Sequence, residues 1–179
     1  MPTNGPRVYC AGPLFNERER DEMRQIAQAL EGAGFETFLP QRDGLELTKC
    51  VDELVRIGYG SERASRLISE AIFALDVYQV LRGCDAIVAN LNGRVPDEGT
   101  VSEAAMAWAR GQLVVGYKAD TRTAHRGQDN PLVAGLFGFR LCPTIQDAVR
   151  AVEAGLTRVG ATKTRRTVRE EEITGFLRQ

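Results

Sequence analysis

From Arg7 onward the chain alternates short, β-prone apolar runs with longer stretches of helical periodicity. That alternation is the signature of βαβ units feeding a parallel sheet. The first run, Arg7 to Ala11, stops at Gly12-Pro13. A helix is expected from Asn16, because Met23, Ile26, Ala27 and Leu30 recur at helical spacing and Asn16 with Glu19 matches a capping box. Phe35 to Leu39 reads as a second strand ended by Pro40. The segment Gln41 to Gly60 is expected to be a mobile connection, although Val51, Leu54 and Val55 permit a short helix. Ser61 to Arg82 predicts a long helix closed by Gly83, with Ala64, Leu67, Ile68, Ala71, Leu75 and Tyr78 on one stripe and Asp76 at its border. A third strand, Asp85 to Leu91, leads through the polar loop Asn92 to Gly99 into a helix from Thr100 to Arg110, and Leu113 to Tyr117 gives a fourth strand. Asn130-Pro131 starts a short helix, Phe139 to Leu141 reads as a fifth strand, and Thr144 caps a helix to Glu153.

These elements predict an α/β fold: a single domain with a doubly wound, five-stranded parallel sheet in the flavodoxin-like order 2-1-3-4-5. The domain is expected over residues 1–156, followed by a charged tail over 157–179. Such a sheet has its switch point between strands one and three, and ligands bind there, beyond the C-terminal strand ends. The loops in question are Gly12 to Phe15 and Asn92 to Gly99.

Charge narrows the partners. Lys and Arg total 23 against 24 Asp and Glu, a net charge of -1, so the chain has no basic footprint for nucleic acid and no polybasic membrane signal. Met1 to Arg7 lacks an apolar core, and no run reaches the roughly 18 apolar residues of a membrane span, so a soluble, cytoplasmic protein is expected. Cys10, Cys50, Cys84 and Cys142 lie far apart and read as reduced, mostly buried thiols. With His125 the only histidine, in a polar loop, a zinc site or a histidine base has little to build on.

The loop after strand three is acidic and runs into Gly99-Thr100-Val101-Ser102-Glu103, which gathers the carboxylates of Asp97 and Glu103 near the cleft. Paired carboxylates suit glycosyl chemistry: one attacks an anomeric carbon or stabilises positive charge there, and another group manages the leaving group's proton. That chemistry needs no metal and no cofactor. Each residue also has a plainer reading. Thr100-x-x-Glu103 is a capping box, Asp76 can be a solvated edge residue, Asp97 a turn former, and Tyr9 a core side chain.

The run Val8 to Phe15, the helix carrying Asp76 and, most specifically, Cys84 to Gly93 followed by Pro96-Asp97-Glu98-Gly99-Thr100-x-x-Glu103 resemble the nucleoside 2-deoxyribosyltransferase family. The resemblance spans roughly Arg7 to Leu156. It implies that Glu103 is a nucleophile, that Asp76 and Asp97 contact the base or guide its proton, and that Tyr9 and Gly12 line the pocket. It also implies that Asn130, before Pro131 and Leu132, enters a neighbouring subunit's site, hence a homo-oligomer with shared active sites. The implied partners are 2'-deoxynucleosides and free nucleobases, and the implied setting is nucleotide salvage. Two alternatives stay open: a deoxynucleoside or deoxynucleotide N-glycosidase on the same fold, and a non-catalytic nucleotide-sensing domain. A 5'-phosphate on the substrate would require cations or backbone N–H donors near Gly12.

Overall fold

The computed structural model of the protein describes residues 5–122 and 129–160. His125 and the tail from residue 161 lie outside the described residues. Five strands, β1 (Arg7–Ala11), β2 (Glu36–Phe38), β3 (Ala86–Asn90), β4 (Leu113–Tyr117) and β5 (Leu141–Cys142), form one sheet in the order β2-β1-β3-β4-β5. Every pairing is parallel; in the central pair Val8 faces Ala86 and Tyr9 faces Ile87. This is the doubly wound α/β architecture expected from the sequence.

Because both faces of such a sheet are covered, its inner strands are apolar at every position, and all of β3 is buried. The two-residue period then sends alternate side chains to two cores. Val8, Cys10, Val88 and Val115 pack with Met23, Ile26 and Leu30 of α1 (Glu17–Gly32) and with Ala148 and Val152 of α7 (Ile145–Gly160). Tyr9, Ala11, Ile87 and Ala89 turn the other way, onto Ala104 and Ala107 of α5 (Glu98–Ala109). Fully burying a side chain such as Ile26 or Leu30 stabilises the fold by about 1.5–3 kcal/mol.

The differences from expectation have local causes. Pro40 opens the short helix α2 (Pro40–Asp43), since a missing N–H costs nothing at a first helical position. The connection expected to be mobile contains α3 (Leu47–Arg56), which buries none of its residues and packs against α4 (Ser61–Tyr78). The long helix changes at Tyr78 into a π turn over Gln79–Gly83, so its last turn is wound more widely than the stripe pattern implies. After α6 (Pro131–Leu136), Gly138 and Phe139 take left-handed conformations, with Phe139 at φ 58°, so Phe139 belongs to a turn and β5 starts only at Leu141. The last helix, α7, continues beyond Glu153 to Gly160.

Candidate active site

The position of Glu103 depends on where α5 begins. The helix starts at Glu98, capped by Asp97, whose Oδ2 accepts from the backbone N–H of Thr100 at 2.7 Å and from its hydroxyl at 2.9 Å. Asp97, not Thr100, is therefore the N-cap. Glu103 falls in the second turn, too far along to close a capping box. Its carboxylate turns instead to the sheet, where the Tyr9 hydroxyl donates to Oε1 at 2.6 Å. Tyr9 is fully buried and stacks on Phe38 with ring centroids 5.4 Å apart, so the phenol has little freedom to leave Glu103.

The electrostatics of this pair follow from burial. Removal from water raises the Glu103 carboxyl from 4.5 to about 7; the Tyr9 hydrogen bond opposes the shift, and the charges of Asp76 and Asp97 add to it. Asp76, on α4, is raised as well, first by burial, with a hydrogen bond from Tyr9 pulling the other way. Burial pushes the Tyr9 phenol up, reinforced by Glu103, so Tyr9 stays a donor at any ordinary pH. The result is a largely buried carboxylate that titrates near neutrality, oriented by one neutral donor and facing two further acids. Such a group can attack an electrophilic carbon or stabilise a cation.

Tyr9, Asp76, Asp97 and Glu103 thus come together; among the described residues no hydrogen bond or ion pair links Gly12 or Asn130 to them. A Cβ on Gly12 would stand 2.1 Å from Met23 Sδ and 3.0 Å from Asn90 Cβ, so glycine is needed there for close packing of the β1–α1 loop. Asn130 is exposed and caps α6, its Oδ1 accepting from Leu132 N–H at 2.9 Å. Among the described residues, no group of three or more His, Cys, Asp or Glu is placed to hold a metal ion.

The sequence reading missed a second polar centre on the opposite face of the sheet. Glu22 of α1 accepts from Asn90 Nδ2 at 2.9 Å, Asn92 Nδ2 at 2.7 Å and the Tyr117 hydroxyl at 3.2 Å. Glu22, Asn92 and Asp120 line a cavity of about 640 Å³ beyond the strand ends, and Glu103 does not line it. The only sequence signal was the polar pair Asn90 and Asn92 closing an apolar strand. Lys118, after β4, forms a nearly buried ion pair with Asp129 at 2.5 Å, which ties together the two ends of the loop preceding Asn130.

Fold and site together define a doubly wound α/β protein with a buried, hydrogen-bonded carboxylate beside its switch point. The chain belongs to the nucleoside 2-deoxyribosyltransferase family, whose sequence model matches residues 8–162. That family consists of enzymes acting on N-glycosidic bonds. Among solved structures, a conserved protein from Enterococcus faecalis V583 is 22% identical with a TM-score of 0.65, covering 84% of this chain and 98% of that one, and shares its fold. A 2-deoxyribosyltransferase from Bacillus psychrosaccharolyticus is 18% identical with a TM-score of 0.49, covering 73% of this chain and 82% of that one. A CMP N-glycosidase from Clostridium botulinum is 17% identical with a TM-score of 0.45, covering 82% and 98%. No curated protein matches the sequence significantly. Among the described residues, no helix is long and apolar enough to cross a membrane.

Proposed function

We propose that the protein exchanges the base of a 2'-deoxynucleoside through a covalent glutamyl-deoxyribosyl intermediate on Glu103. The observation that carries this reading is the Glu103 carboxylate itself, held by Tyr9 and raised by burial beside Asp76 and Asp97. In the first step a Glu103 oxygen bonds to C1', the C1'–N bond breaks, and its electron pair leaves on the base, which takes up a proton. In the second step a nitrogen of the incoming base bonds to C1' from the face the first base left, the C1'–O bond breaks, and the incoming base gives up a proton. Glu103 returns as carboxylate. Asp76, with its raised carboxyl, is suited to pass those protons. The charge of Asp97, joined by that of Asp76 as its proton passes to the base, favours the cationic character that develops at C1'. A 2'-hydroxyl would withdraw electrons from that centre, which makes deoxyribose the easier sugar.

We place this activity in cytoplasmic nucleotide salvage, in a homo-oligomer where Asn130 completes a neighbouring site, with no cofactor. The exposed position of Asn130 supports its entry into a neighbouring subunit's site. Incubation with deoxyinosine and adenine tests the reading. Formation of deoxyadenosine is the expected result. Release of hypoxanthine alone would make the protein an N-glycosidase, and binding without turnover would make it a sensor. Glu103→Gln should lower the exchange rate by at least about a thousandfold, because an amide is a very poor nucleophile.

A further inference from the structure

We infer that Arg7 and Gln79 are positioning residues for Asp76: their hydrogen bond pins the end of α4 to β1 and so turns Asp76 toward Tyr9 and Glu103. The inference rests on the exchange reading above and deepens it, because it says what holds the proposed proton donor in place.

Two pairs of side chains meet between strand and helix. Arg7 and Tyr9 are two apart on β1 and project to the same face of the sheet. Asp76 and Gln79 are three apart on a continuous helical path, with Gln79 at φ -63° and ψ -44°, and that spacing puts them on one side of the helix. The pairs face each other as two rungs. In one, Arg7 Nη1 donates to Gln79 Oε1 at 3.3 Å. In the other, Asp76 neighbours the Tyr9 hydroxyl, which donates to Glu103 at 2.6 Å.

The first rung is fixed at both ends. The Arg7 N–H donates to Asp85 Oδ2 at 2.9 Å, and the guanidinium lies 5.4 Å from the centroid of Phe38, the ring that stacks on Tyr9. Gln79 reaches Arg7 by folding back across Gly83, where a Cβ would stand 2.1 Å from Gln79 Oε1. The link therefore needs glycine at that position.

Little else sets the rotation of this helix end. Ala64 is the one buried residue of α4, and Leu75 reaches the core only partly buried. The helix α3, against which α4 packs, buries no residue of its own. Val80 anchors the π turn in the core, but apolar burial is non-directional and holds the turn at depth without fixing its angle. The π turn also interrupts the α-helical register between Asp76 and β3. A hydrogen bond, which has a preferred direction, supplies the missing constraint. Without it the end of α4 is free to turn about its axis, and the half-buried Asp76 moves toward water.

The test removes and restores the link. Gln79→Met keeps the length of the side chain without its acceptor, and Gln79→Glu keeps an acceptor for Arg7. Two nucleosides are compared, 2'-deoxyinosine and 7-methyl-2'-deoxyinosine, with adenine as the incoming base. The methylated base is already cationic and leaves without taking up a proton. Gln79→Met should lower kcat/KM for 2'-deoxyinosine by about tenfold, part of the roughly hundredfold or more that a general acid contributes, and change the methylated nucleoside by less than about threefold. Gln79→Glu should restore the first value. Carbon-13 NMR titration of the Asp76 carboxyl needs no turnover. Its pKa, which burial raises in the wild type, should fall toward the ordinary carboxylate range in Gln79→Met and stay raised in Gln79→Glu. Equal slowing of both nucleosides, or an unchanged Asp76 titration, would overturn the inference. The expected change in titration with no exchange of either nucleoside by the wild type would overturn the catalytic reading and leave the positioning standing.

Discussion

On the proposed mechanism Glu103 has to be buried to be reactive and charged to attack, and its environment balances the two. Because its folded pKa of about 7 lies above the ordinary 4.5, the folded protein holds a proton that the unfolded chain has lost between those values. Stability from this group is complete below about pH 4.5 and falls as pH rises to about 7, by about 3 kcal/mol at most. Thermal unfolding of wild type and Glu103→Gln across that range should show the decline in the first and a flatter profile in the second. Parallel profiles would mean that Glu103 is not the group responsible. Tyr9→Phe removes the one donor that favours the charged form. The ascending limb of kcat/KM against pH, which reports ionisation of Glu103, should then move to higher pH by about one unit. An unmoved limb would remove Tyr9 from the control of Glu103.

At the scale of elements, the site depends on α5 starting at Glu98. Asp97→Asn should keep the cap, since asparagine and aspartate are comparable N-caps, while removing a charge that raises Glu103. Unfolding temperature should stay nearly constant and the ascending limb should shift to lower pH. A large stability loss with no such shift would make Asp97 purely a cap. The start of α5 was hard to read because two overlapping patterns compete, Thr100-x-x-Glu103 and Asp97-x-x-Thr100, and only the second closes in the folded chain. Strands β1, β3 and β4 were legible because burial on both faces demands unbroken apolar runs. The segment carrying α3 reads as a mobile connection, although Leu47, Cys50, Val51, Leu54 and Val55 recur at helical spacing, because the helix is only ten residues long and its stripe becomes fully buried nowhere. Phe139 looked like strand because it is aromatic, and the positive φ that excludes it has no marker beyond Gly138. Tyr9 and Glu103 lie far apart in sequence, so their hydrogen bond was invisible before the strands and α5 were placed. Glu22 looks like any acid on the polar side of an amphipathic helix.

The whole molecule carries apolar side chains that a lone subunit leaves in water: Leu132 beside Asn130 is 81% exposed and Phe73 on α4 is 70% exposed. On the proposed reading, contacts between copies cover such surface and Asn130 completes a neighbour's site. Asn130→Ser keeps a capping side chain for α6, so its loss of activity can be separated from the roughly 1 kcal/mol that cap removal costs. Mixing Asn130→Ser with Glu103→Ala subunits should restore part of the activity through sites that combine one intact residue from each. If subunit exchange is verified and no activity returns, Asn130 does not act across a boundary. The proposed mechanism requires that Glu103 becomes covalently bonded to the sugar, and this can be read directly. Wild-type protein denatured during turnover with a 2'-deoxynucleoside and digested should carry a deoxyribosyl mass on the peptide containing Glu103. Steady base exchange with that peptide unmodified, or with the sugar on another residue, would contradict the account.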